Sequence, residues 1–160
     1  HPISALQSEY SLLTRDVETE ILPVCTELNI TFVPFSPLAR GLVTNTLYLL
    51  YLGEGDFRKN LPRFTETYWE NNSKLAKAFA EMAFGLNCTP AQLALAWVMA
   101  QGDNIIPIPG TKRRKYLLDN AGAVDIKLST SDIQDIENLL KRFPDIGARY
   151  AESMAKLVNK

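Results

Sequence analysis

Three short runs, Ile3 to Gln7 (ISALQ), Thr31 to Phe35 (TFVPF) and Ile105 to Ile108 (IIPI), alternate with helical patterns, and that alternation constrains the fold most. Runs this short and nearly all apolar read as strands buried on both faces, the habit of a parallel sheet. Between the first two, Asp16 introduces an apolar spacing of Val17, Ile21, Val24 and Leu28 that predicts a helix, with Pro23 starting or bending it. A very short connection after Leu28 and Asn29 enters TFVPF and completes a β-α-β unit. From Ser36 to about Asn72 the rhythm breaks into SPLARG, GEGD and NLPRF, which predicts a long irregular loop of the functional kind. Ser73 then opens a helix with Leu75, Phe79, Met82, Ala83 and Leu86 on one face. Thr89, Pro90 and Gln92 supply cap, first helical position and capping-box partner for a helix carrying Leu93, Ala94, Trp97 and Val98 inward. After IIPI, a helix is expected from Thr111 to about Ala121. Ser129 and Asp132 cap a last one with Ile133, Ile136, Leu139 and Leu140, and the tail from Phe143 is loosely patterned. The class is α/β with parallel strands, and three strands do not make a closed sheet.

Composition narrows the partners. A chain of 160 residues, 46% hydrophobic and 22% charged, has the bulk for one ordinary globular domain. Its net charge of −1 argues against a general nucleic-acid binder, which carries a basic excess over a broad face. Cys25 and Cys88 lie far apart with no CxxC and no histidine near, so neither a metal site nor a disulfide framework is indicated, and both read as buried small apolar residues. No apolar run approaches roughly 18 residues and no leader pattern is seen, so the expectation is a cytoplasmic domain without a membrane span. The sequence begins at His1 and passes straight into a strand, as a piece of a longer chain would.

Positive charge is local. IIPIPGTKRRKYLLDN runs from an apolar strand through Gly110 into Lys112, Arg113, Arg114 and Lys115. Such a run is either a solvated charged face or, in this strand-turn-helix setting, a phosphate grip. In the second reading a helix start near Thr111 offers free N–H groups and a positive dipole end.

Five segments carry a family likeness: ALQSEYSLL (Ala5 to Leu13), PFSPLARGL (Pro34 to Leu42), GDFRKNLPRF (Gly55 to Phe64), TPAQLALAWV (Thr89 to Val98) and IPIPGTKRRKYLLDN (Ile106 to Asn120). In that order and spacing they resemble the C-terminal half of the aldo-keto reductases, most of all a perakine reductase-like branch, over essentially all 160 residues. The resemblance implies a partial (β/α)8 barrel, this chain supplying the last three strands and their helices, with a cofactor-covering loop at about residues 36–72.

It also implies an NADPH site. Gln7 matches the glutamine that hydrogen-bonds the nicotinamide carboxamide, and Phe35 the aromatic that stacks beneath the ring. Without the likeness, Gln7 is a strand-end cap and Phe35 is core. Ser36, Pro37, Leu38, Ala39, Arg40 and Gly41 match the loop across the pyrophosphate, Ala39 standing where the family often has glycine. Gly110, Thr111 and Lys112 match the grip on the adenosine 2′-phosphate, with Tyr116 where many members carry arginine. Asp119 and Asn120 match the acidic-amide pair at the adenine, Asp for the commoner Glu.

The family's catalytic Asp, Tyr, Lys and His match no position in this chain. His1 is at the wrong end of the topology, and Tyr10 has no Lys-Asp partnership suggested by spacing. Two readings follow. One is the cofactor-binding part of an NADPH-dependent reductase of aldehydes or ketones, completed by the missing N-terminal half. The other is an inactive half-barrel that pairs with another copy of itself, because unpaired strand edges and exposed apolar side chains invite association.

Overall fold

A computed structural model describes residues 1–156. Residues 157–160, which the single-domain expectation includes, lie outside the described residues. β1 (Ala5–Glu9) and β2 (Thr31–Phe35) pair in parallel, Gln7 opposite Val33 and Glu9 opposite Phe35, with α1 (Ile21–Glu27) crossing between them. The β-α-β unit is as expected, with β1 set two residues later than the apolar run suggested.

The third run joins β2 on its other side without forming a continuous ladder. Phe32 N–H donates to the Asn104 carbonyl at 2.8 Å, Ile106 N–H to Phe32 at 2.9 Å and Ile108 N–H to Pro34 at 3.0 Å. The remaining bond of that series needs an N–H on residue 34, and Pro34 has none. Only isolated parallel bridges, Phe32 to Ile105 and Phe35 to Ile108, are left. Nor are the strands buried on both faces. Burial alternates along β2, with Phe32 and Pro34 inside and Thr31, Val33 and Phe35 half-buried, the pattern of a sheet covered on one face.

α1 is shorter than its apolar spacing suggested, beginning at Ile21 and leaving Val24 and Leu28 exposed. Pro23 explains the late start: it fits only a first turn, where its missing N–H would be unbonded anyway. α2 (Glu66–Gly85) begins seven residues before Ser73. Its first turns escape a hydrophobic count because their anchor is polar: Asn72 is fully buried, its Nδ2 donating to the Arg63 carbonyl at 2.8 Å and the Ile146 carbonyl at 3.0 Å. Leu75, Phe79 and Ala83 are buried as expected, while Met82 and Leu86 are half-buried.

α3 (Pro90–Met99) carries the expected Thr89–Gln92 capping box and is buried at Leu93, Ala94, Trp97 and Val98 and also between them, at Leu95 and Ala96. α4 (Arg114–Ala121) starts three residues later than Thr111. α5 (Thr130–Lys141) has its Ser129–Asp132 box, with Ile136 and Leu139 buried and Ile133 and Leu140 half-buried. α6 (Glu152–Ala155) ends the described chain.

Tyr10, Phe32, Phe79 and Trp97 are wholly buried in one apolar cluster, with Tyr10 against Phe32 and Trp97 at ring separations of 6.1 and 5.7 Å. Burial, and then the Glu18 carboxylate that accepts the Tyr10 hydroxyl at 2.7 Å, push that phenol well above its ordinary range. Cys25 is buried, Cys88 is half-buried, and both are free thiols. Among the described residues no helix is long and apolar enough to cross a membrane.

The tail from Phe143, loosely patterned in sequence, is held by side chains of other segments. Asn71 donates to the Asp145 carbonyl at 3.1 Å, Asn72 to Ile146 and Arg63 to Gly147 at 3.3 Å, so three side chains hold three successive carbonyls. Gly147 sits at φ +79, where a Cβ would come within 2.8 Å of the Tyr68 ring.

Candidate functional site

A cavity of about 660 Å³ opens at the carboxyl ends of β2 and the third run, the place where parallel α/β sheets hold ligands. One wall is Phe35 and the residues after it, Ser36, Pro37, Leu38, Arg40 and Gly41. The other is Ile108, Gly110, Tyr116, Asp119 and Asn120. Ten of the fourteen expected contact residues are thereby brought together from segments some seventy positions apart in sequence.

The first wall is a turn in left-handed backbone. Ser36, Ala39, Arg40 and Gly41 have φ of +52, +49, +58 and +90, held by Ala39 N–H to the Ser36 carbonyl and Gly41 N–H to Leu38, both 2.9 Å. For Ala39 that conformation costs about 1–2 kcal/mol that glycine would not incur. Its methyl is buried beneath the loop and does not line the cavity.

Arg40 is steered by a buried carboxylate. Glu9 is 1% exposed at the end of β1. Its Oε2 accepts from Arg40 Nη2 at 2.6 Å, Arg149 Nε at 3.0 Å and the Tyr150 hydroxyl at 3.4 Å, and its Oε1 from Thr14 at 3.3 Å. Arg63 reaches the same cluster through Thr14, at 2.8 Å. Burial lowers the Arg63 guanidinium pKa from its ordinary value; Glu9 opposes the shift, and Arg40 and Arg149 add to it. Three guanidiniums around one fully buried carboxylate leave positive charge in excess beside the Phe35 end of the cavity.

Arg58 also lines the cavity, donating to the Arg40 carbonyl at 3.1 Å and pairing with Asp56 at 2.7 Å. The Arg58 hydrogen bonds hold the Asp56 carboxyl at about 2, below its ordinary 3.8. A carboxyl whose folded pKa is depressed stabilises fully above the ordinary value and loses that contribution as pH falls through the folded one. The 56–60 turn is therefore expected to loosen between about pH 4 and pH 2, read as faster amide exchange at Arg58, whose N–H also donates to Asp56.

At the other wall Asp119 already has a partner. Both its oxygens accept from the Thr89 hydroxyl, at 3.1 and 3.2 Å, while that hydroxyl accepts the Gln92 N–H of the α3 cap. The basic run is placed differently from expectation. Thr111 bonds the Arg113 backbone, a local turn that competes with helix, so α4 is capped at Arg113. Thr111 and Lys112 leave the main cavity and line an adjoining hollow of about 600 Å³ with Gly110, Arg113 and Tyr116, while Lys115 faces the main cavity. Gln7 lies on the sheet face that Phe35 shares, but it is exposed and outside both hollows. Arg58, Lys115, Thr44, Thr46, Thr89, Pro90 and Ala91 line the cavity without having been singled out for it. For Arg58 the signal was present in the GDFRKN segment.

A parallel strand pair with a cleft at its carboxyl ends defines an α/β protein with a ligand-sized cavity. The aldo/keto reductase family pattern matches residues 1–141, and the chain belongs to that family. It is 42% identical over 154 residues to the NADP(+) aldo-keto reductase yakc of Schizosaccharomyces pombe, covering 94% of this chain and 45% of the relative. The fold matches a glycerol dehydrogenase from Gluconobacter oxydans at TM-score 0.82 and 22% identity, over 89% of this chain and 44% of that one. An aldo-keto reductase from Klebsiella pneumoniae, solved with NADP and acetate, matches at TM-score 0.61 and 25% identity, over 88% of this chain and 40% of the other. The chain thus spans less than half the length of these relatives. The narrower expectation of a C-terminal half is set aside, because what the matches establish is the family and the share of length.

Proposed function

We propose that this chain supplies the NADP(H)-binding portion of an aldo/keto reductase that interconverts aldehydes or ketones with alcohols. The observation that carries it is the single cavity joining Phe35 and the 36–41 turn to Gly110, Tyr116, Asp119 and Asn120. The residues fit the cofactor in parts. Phe35 offers a flat apolar face, the Arg40 and Arg58 side chains bring cationic groups to the middle, and Asp119 and Asn120 supply a carboxylate and an amide of the kind that hydrogen-bonds an amino-purine. The adjoining hollow of Thr111, Lys112 and Arg113 suits a 2′-phosphate. Basic residues at the start of α4 oppose the helix dipole, and an anion seated there relieves both. When bound, NADPH supplies the hydride; the proton donor and its partners belong to the rest of the barrel.

Titrating the purified chain with NADPH, followed by nucleotide fluorescence, is expected to saturate. Lys112→Ala is expected to weaken binding about tenfold or more, the scale of one charge-assisted contact. The chain alone is expected to show no NADPH-dependent reduction of nitrobenzaldehyde. No saturation at any concentration defeats the binding reading, and turnover abolished by Lys112→Ala defeats the placement of the catalytic groups outside this chain.

A second reading, an inactive self-pairing half-barrel, is favoured by one feature. Ile106 and Ile108 are 59% and 45% exposed along the third run, beside a sheet with unpaired edges. Elution as a dimer in sizing chromatography, without nucleotide binding, supports it.

A further inference from the structure

We propose that Arg149 and Tyr150 are positioning residues for the cofactor, latching the 36–41 turn and the Phe35 ring through the buried carboxylate of Glu9. The proposal rests on the NADP(H) reading of the cavity. Both residues lie beyond the family match, which ends at residue 141, and neither lines the cavity. They reach it through what they hold.

The latch has two ends. At the far end the strap is fixed by side-chain donors from Asn71, Asn72 and Arg63 to the carbonyls of Asp145, Ile146 and Gly147. At the near end two guanidiniums lie over the Tyr150 ring, Arg40 at 5.0 Å and Arg149 at 4.9 Å from its centroid. Its hydroxyl accepts from Arg40 at 3.1 Å and donates to Glu9. The Arg149 guanidinium bonds Glu9, approaches Asp16 at 3.9 Å and stands 6.0 Å from the Phe35 ring centroid.

Arg40 is therefore bonded by the strap through Tyr150 and Phe35 is approached by Arg149, while both residues also line the cavity. Arg40 is also a left-handed residue, and such a conformation persists only where the surroundings over-determine it. Glu9, Tyr150 and the Arg58 bond to its carbonyl are the groups that do so. Without the strap the turn keeps its two internal hydrogen bonds, the Thr44 hydroxyl bond to the Gly41 carbonyl and the Glu9 and Arg58 bonds to Arg40, but Arg40 loses Tyr150, and Glu9, which orients it, loses both Arg149 and Tyr150.

The test uses the whole chain as Arg149→Met, Arg149→Lys and Tyr150→Phe, with two ligands and one ligand-free readout. NADPH spans the cavity; adenosine 2′-monophosphate, which lacks the pyrophosphate, engages only the adenine and 2′-phosphate end. Arg149→Met is expected to weaken NADPH binding roughly tenfold while leaving the monophosphate unchanged, and Arg149→Lys to recover most of the loss, since a lysine keeps one charged bond to Glu9. In the free chain, amide exchange at Ala39 and Gly41 is expected to quicken in Arg149→Met and Tyr150→Phe. Equal weakening of both ligands, or unchanged exchange at those two amides, overturns the latch. If the unaltered chain binds neither ligand, the nucleotide reading fails on its own. Exchange at Ala39 and Gly41 then decides the latch: faster exchange upholds it as a device of the turn and unchanged exchange removes it.

Discussion

Replacing Glu9 with Gln is expected to destabilise the chain by about 3–5 kcal/mol, the scale of breaking a buried ion pair by removing one partner. The substitution barely changes shape. It removes the buried carboxylate that Arg40 and Arg149 share, with Arg63 one hydroxyl away, and leaves Arg149 only its 3.9 Å approach to the exposed Asp16. An amide oxygen can accept one of the bonds but cannot balance the charge. Urea unfolding monitored by Trp69 and Trp97 fluorescence measures the effect. A loss under about 1 kcal/mol means that the guanidiniums rehydrate freely and that the cluster is a surface feature.

Phe79→Ala is expected to cost about 3–5 kcal/mol, the range for deleting a buried aromatic ring. Phe79 is wholly enclosed on α2, the helix that packs against α3, α5 and the short helical turns at Ala39–Thr44. A cavity there undermines the support of the cofactor turn as well as the core. Phe84→Ala, at a ring 84% exposed on the same helix, serves as control and is expected to stay within about 0.5 kcal/mol. Similar losses at both positions would mean that the inward face of α2 has been assigned wrongly.

The two capping boxes were legible because they combine a fixed spacing with a fixed chemistry: Thr89 with Gln92 and Ser129 with Asp132 each satisfy two backbone donors in the same way wherever they occur. α3 was legible as core but not as a face: every position from Leu93 to Val98 is buried, so its apolar run marks the interior without marking a side. Asn72 and the strap were not legible. An amide that donates to two carbonyls, one of them seventy-four positions away, leaves no local period to read. The basic run shows the same limit at finer scale. The four cations named the anion-binding end, but the Thr111 turn decided that Lys115 faces the main cavity and Lys112 the adjoining hollow. Gln7 was chosen by likeness to a motif, and in this chain its place on the sheet does not carry it into the cavity.

Pro34 has a consequence for how long the site survives. The two walls of the cleft meet where three main-chain hydrogen bonds tie the third run to β2, and Pro34 leaves a gap between the second and third of them. That seam carries fewer main-chain bonds than an uninterrupted ladder would, and it joins segments that must stay adjacent for the cleft to exist. Its opening would abolish the cleft while β1, β2 and α1 stay folded. Any molecule spanning both walls therefore acts as a splint across the seam, holding it shut in proportion to the logarithm of that molecule's concentration once the cleft is saturated.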